Sequence, residues 1–178
     1  MAPGLRKFAL AAHLTFSVGW IGAVVAYLAL GVSAVTTQDP PMVRAAWIAM
    51  ELIGWNVIVP LALAALPTGL VMSLGSPWGL FRHYWVLISF VLTLLSTVVL
   101  LEHMPTVSSI TDVVREADDA DLAGGLGGDL FHPGVGLLVL LFITVLNLYK
   151  PRGMTSYGWR KQQEERRKRH EQSAVSYP

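Results

Sequence analysis

The chain has 178 residues, is 53% hydrophobic, carries charge at only 14% of its positions and has a formal net charge of +1 at pH 7. Soluble domains usually place charge at roughly 25% of positions; here the charges lie in short stretches between long apolar runs, which is the pattern of a membrane protein. The absence of cysteine excludes disulfides, thiolate metal sites and cysteine nucleophiles, and the length leaves no room for a second soluble domain beside one small bundle.

After Arg6 and Lys7, no Asp, Glu, Lys or Arg occurs from Phe8 to Gln38. A first span is predicted over about 8–32. A signal peptide is the rival reading, because Val32-Ser33-Ala34 resembles a cleavage site, but the apolar run is longer than the roughly 7–15 residues of a signal core. Asp39-Pro40-Pro41 breaks the chain. The second span is predicted over about 46–74, with Glu51 near its start and a kink or irregular turn near Pro60. Pro67 lies within the same run. Gly75-Ser76-Pro77-Trp78-Gly79 then links to Phe81-Arg82-His83.

From His83 to Leu101 there is again no Asp, Glu, Lys or Arg, which predicts a third span over about 84–102. Such a helix rises roughly 30 Å, the hydrocarbon thickness of a bilayer. The segment 104–130 holds Asp112, Glu116, Asp118, Asp119, Asp121 and Asp129 against Arg115 alone, and reads as an acidic loop outside the membrane. Val107, Ile110, Val114 and Ala117 recur in it at helical spacing, so the loop is expected to carry a short surface helix. Gly124-Gly125-Leu126-Gly127-Gly128 reads as a flexible joint. No strand precedes it and the lysine of a phosphate-binding loop is missing.

The fourth span is predicted over about 133–149, opened by His132-Pro133 and stopped by Lys150-Pro151-Arg152-Gly153. The basic tail, 153–178, reads as a solvated helix that anchors topology and is attracted to anionic lipid, with no nucleic-acid role. The expected fold is all-α: a four-helix transmembrane bundle within 1–152. Lys and Arg concentrate at the amino end, around Arg82 and in the tail, so both termini are expected in the cytoplasm.

Polar stripes mark the faces that point into a membrane bundle. His13, Ser17, Trp20, Val24 and Tyr27 fall on one face of the first span, and Ser89, Thr93, Ser96, Leu100 and His103 on one face of the third. His83 and His103 are about 200° apart around a straight helix, so they do not share that face. His83 also reads as an interfacial residue beside Arg82, Tyr84 and Trp85.

Ionisable groups in spans are costly to bury and are functional candidates. The favoured reading is a haem b held by His103 and His132 near the outer surface, with His13 and His83 as a second pair near the inner one. Tyr27 and Glu51 would tune or gate it, with Trp20 and Trp55 in support. A copper or zinc ion on His103, His132 and Glu51 is an alternative. So is a proton-coupled quinone site using a histidine and Glu51. A further alternative is a non-catalytic accessory or assembly protein of a membrane complex, and the partners expected are the lipid bilayer, other membrane subunits or a quinone, and a second copy of the chain. Ser108, Ser109 and Asp112 make no persuasive catalytic triad, and no enzyme activity of its own is expected.

His13-Leu14-Thr15-Phe16-Ser17-Val18-Gly19-Trp20-Ile21-Gly22 resembles the opening of uncharacterised predicted integral membrane proteins of bacteria and, more distantly, of the copper-resistance D-like membrane proteins. Gly79-Leu80-Phe81-Arg82-His83-Tyr84-Trp85-Val86 and Tyr149-Lys150-Pro151-Arg152-Gly153-Met154-Thr155 resemble actinobacterial members of the first group. The resemblance implies a four-span protein of the bacterial cytoplasmic membrane, and the second group implies copper handling. This chain departs from a copper-transport pattern in having no cysteine and no methionine-rich cluster.

Overall fold

Long uncharged runs become long helices. A computed structural model describes residues 2–75, 79–123 and 129–175. It contains α1 (Pro3–Thr36), α2 (Pro40–Ile53), a π-helical turn (Gly54–Ile58), α3 (Val59–Gly75), α4 (Tyr84–Glu116), α5 (Asp119–Ala123), α6 (Phe131–Tyr149) and α7 (Ser156–Val175). Four helical stretches are long and apolar enough to cross a membrane: α1, the continuous α2–α3 rod, α4 and α6. No strand occurs among the described residues. The expected glycine joint at 124–128 and the link residues 76–78 lie outside the described residues.

Each rod packs on the next: α1 against α2 and α3, these against α4, α4 against α6, and α6 back against α1. The result is a closed ring of four in chain order, as short connections between antiparallel neighbours require. Trp20, Val24 and Tyr27 are buried and His13 and Ser17 half-buried, so the polar stripe of α1 faces inward as its spacing predicts. On α4, Ser89 is buried and Thr93, Ser96, Leu100 and His103 are half-buried.

The irregular turn expected near Pro60 is the π turn. Proline has no N–H to offer the carbonyl four residues back, and its ring crowds that carbonyl. One wider turn absorbs the conflict: the Val59 N–H reaches the Gly54 carbonyl, and the helix continues. A close approach of α4 is built at the same place. A Cβ on Gly54 would lie 2.5 Å from Met104 Cε, and Met104 is only 1% exposed.

The acidic segment departs from expectation. It is not a loop with a separate surface helix, because α4 runs on through Pro105 to Glu116. Val107, Thr111 and Val114 recur at i, i+4 and i+7 and are buried, together with Val43 and Trp47 of α2. Thr111 sends its hydroxyl to the Val107 carbonyl at 2.8 Å and lies 3.4 Å from that of Trp47. Arg44, unremarked in the sequence, closes the end of α4. Its guanidinium donates to the carbonyls of Val114 and Ala117 at 3.2 and 2.8 Å and pairs with Asp119 at 3.3 Å. Arg44→Ala removes those donors, a loss of about 1–3 kcal/mol where carbonyls are left unpaired. Hydrogen exchange read by mass spectrometry should then quicken over residues 113–122 and hold steady in the spans.

At the opposite end the chain after α6 is clamped onto the α3–α4 connection. Lys150 takes a left-handed conformation, φ 47°, and caps α6 through its N–H to the Leu146 carbonyl. Met154 forms an antiparallel bridge with His83. Thr155 gives its N–H to the Arg82 carbonyl at 3.0 Å and its hydroxyl to that of Phe81, while accepting the Gly158 N–H at 3.0 Å. The tail is helical, as expected, and its base is fixed to the bundle.

Candidate metal centre

His103 arrives on the inward face of α4, at the end of the polar stripe. Asp129 lies two residues before α6, and His132 is the second residue of that helix. An acid just before a helix finds unpaired N–H groups and the positive end of the helix dipole. Asp129 uses both: one carboxylate oxygen accepts the His132 backbone N–H at 3.4 Å and lies 3.0 Å from His132 Nδ1. The other oxygen is in short contact with His103 Nε2.

One carboxylate therefore serves two imidazoles. The two rings stack with centroids 4.0 Å apart and an interplanar angle of 22°. Side-chain exposure is 16% for His103, 12% for Asp129 and 46% for His132, so the cluster is sheltered on one side and open on the other. One donor atom from each of the three lies within 4.8 Å of the others. Metal–ligand bonds of about 2.0–2.2 Å set tetrahedral donors roughly 3.3–3.6 Å apart, inside that bound.

The structure joins His103 and His132, as the sequence suggests, but the geometry does not fit two axial ligands of one haem. Axial imidazoles approach iron from opposite faces of the porphyrin. In this arrangement, rings stacked at 4.0 Å leave no space for that plane between them.

Glu51 is not part of the cluster. It is paired with Arg115, which also holds Asp112 at 2.7 Å. This pair lies on an open groove of about 330 Å³, with Ile48, Leu52, Trp55 and Asn56. Trp55 donates its indole N–H to Ser108 at 3.0 Å, so Ser108 and Asp112 serve separate partners. Trp20 is core packing.

The second histidine pair has two different settings. His13 Nδ1 lies 3.2 Å from Thr68 Oγ1, whose own proton goes to the Ala64 carbonyl, and its ring packs on Gly69 of α3. His83 precedes α4 beside Trp85, with ring centroids 6.4 Å apart.

Asp129 is the residue the sequence reading passed over as one more acid of an acidic segment. Its signal was the spacing Asp129-Leu130-Phe131-His132 directly ahead of a proline, which marks a helix start. Comparison with known proteins found no matching family model, no matching curated protein and no matching solved structure. Fold and site together define an all-helical protein with four helices apolar enough to span a bilayer and a His–Asp–His donor set at one end of the bundle.

Proposed function

We propose that this is a multi-pass protein of the bacterial cytoplasmic membrane that binds one first-row divalent metal ion through His103, Asp129 and His132. The observation that carries the reading is the convergence of two imidazoles and a carboxylate, from α4 and the start of α6 with the residues just before it, on one sheltered spot. Such a donor set suits borderline ions such as Zn²⁺, Co²⁺, Ni²⁺ or Cu²⁺ and not the oxygen-seeking Mg²⁺ or Ca²⁺. Three protein ligands leave one tetrahedral position for water or another small ligand. Without a metal, the same residues form a hydrogen-bonded clasp between α4 and the start of α6.

The orientation we propose puts both termini in the cytoplasm. What supports it is the basic character of the Arg6–Lys7 end, the Arg82 connection and the tail, against the acids flanking the metal site. The site then opens to the outer surface and takes its ion from there.

The test is a titration of the detergent-purified, metal-stripped protein with Zn²⁺, Co²⁺ and Mg²⁺, followed by calorimetry and elemental analysis. The reading predicts one Zn²⁺ or Co²⁺ per chain and no Mg²⁺. Absence of stoichiometric uptake of any transition metal refutes it. A Soret band in protein from haem-fed cells would instead favour haem.

A further inference from the structure

Tyr27 is 4% exposed, and its hydroxyl has no hydrogen-bond partner among the described residues. Few buried polar groups in proteins are left unpaired, and each asks for a reason. The surroundings of this one supply it. Tyr27 and Gly31 are one turn apart on the same face of α1, and both are buried. A Cβ on Gly31 would stand 3.4 Å from the Asp129 carbonyl oxygen and 3.1 Å from the Leu130 side chain. At this point α1 therefore packs directly on the segment that carries the site's carboxylate. The phenol ring itself packs near Gly54 of the π turn, which is filled by Met104, the neighbour of His103 in sequence.

Tyr27 thus stands one helical turn along α1 from the contact with the Asp129 backbone. Its hydroxyl is a neutral donor, and nothing among the described residues uses it. We infer that Tyr27 completes the metal site: its hydroxyl donates a hydrogen bond to the water or hydroxide that the ion carries on its inner side. This inference rests on the metal reading above. It makes Tyr27 a positioning residue that holds the non-protein ligand without touching the ion. It also explains why a tyrosine, and not a phenylalanine, fills this part of the core.

Wild type and Tyr27→Phe, purified in detergent and stripped of metal, are compared in two measurements. The first is thermal unfolding without metal. Removing an unpaired buried hydroxyl opens no cavity and breaks no bond, so the variant should melt at the same temperature or higher. A clearly lower melting temperature would mean that the hydroxyl is already paired inside the protein, and would count against the inference. The second is Co²⁺ binding, followed by calorimetry and by the visible ligand-field bands. Loss of an outer hydrogen bond to a metal ligand lowers affinity by about 10–100-fold. Tyr27→Phe should show a loss of that order and a change in band position or intensity. Identical affinity and spectrum in the two proteins overturn the role of Tyr27 and leave the three-residue site standing. No Co²⁺ uptake by wild type removes both.

Discussion

Asp129→Asn is expected to weaken divalent metal binding by about a hundredfold or more, roughly 2.8 kcal/mol at 1.4 kcal/mol per tenfold. The substitution keeps the size and shape of the side chain and removes the charge. Asp129 contacts both His103 and His132, so one change disturbs all three donors. An amide offers one oxygen where the carboxylate offers two, and the imidazole left facing its NH₂ group loses its acceptor. His103→Ala should weaken binding comparably, because it deletes the most sheltered nitrogen of the set. Glu51→Gln is the informative control. If the ion were held by Glu51, as the sequence alone allowed, that change would be as severe as Asp129→Asn. With Glu51 committed to Arg115, it should leave the affinity within a factor of about two, far less than one tenfold step. The measurement is calorimetric titration of Zn²⁺ into the three purified variants. Full affinity in Asp129→Asn with loss in Glu51→Gln would move the site to the groove beside Trp55.

Gly158→Ala is expected to unseat α7 and to leave the metal site untouched. A Cβ at this position would lie 2.4 Å from the Arg82 carbonyl oxygen, 3.1 Å from its carbon and 3.2 Å from the Arg82 Cα. All three are backbone atoms, so no side chain can swing aside. The added methyl must push α7 away from the α3–α4 connection. The Thr155 bonds to Phe81 and Arg82 then fail, and so does the Arg82–Glu165 pair, 3.0 Å in the native arrangement. Overpacking of this kind costs about 1–3 kcal/mol, which for a locally anchored helix appears as opening rather than global unfolding. Trypsin should cut after Arg160 and Lys161 about tenfold faster in the variant, each 1.4 kcal/mol of lost anchoring being worth a factor of ten in the open population. Equal cleavage of the two proteins would show that the contact does not hold α7. Metal affinity should not change, because the clamp and the metal site lie at opposite ends of the bundle.

Much of this architecture is written in local sequence. The uncharged runs from Phe8 to Gln38 and from His83 to Leu101 admit little besides spanning helices, since backbone polar groups in lipid must pair within the segment. The stripe from His13 to Tyr27 identifies the inward face of α1, because helical periodicity is a property of the chain alone. Pro60 marks the π turn for the same reason: the missing N–H is a local fact. Only the tertiary structure decided which inward faces meet and at what height. Periodicity puts His103 on the inner face of α4 but is silent on its partner, which is Asp129, 26 positions later. It cannot pair Glu51 with Arg115, 64 positions apart, because that depends on α4 continuing past Pro105 alongside α2. The acids between Asp112 and Asp121 suggested a loop, since charge was the strongest local signal. Val107, Thr111 and Val114 made it a packed helix, since burying their common face against Val43 and Trp47 outweighs the preference of its polar neighbours for water. Tyr27 shows the same division: its place on the inner face was legible in the sequence, and the burial of its hydroxyl without a partner among the described residues exists only once the helices are assembled.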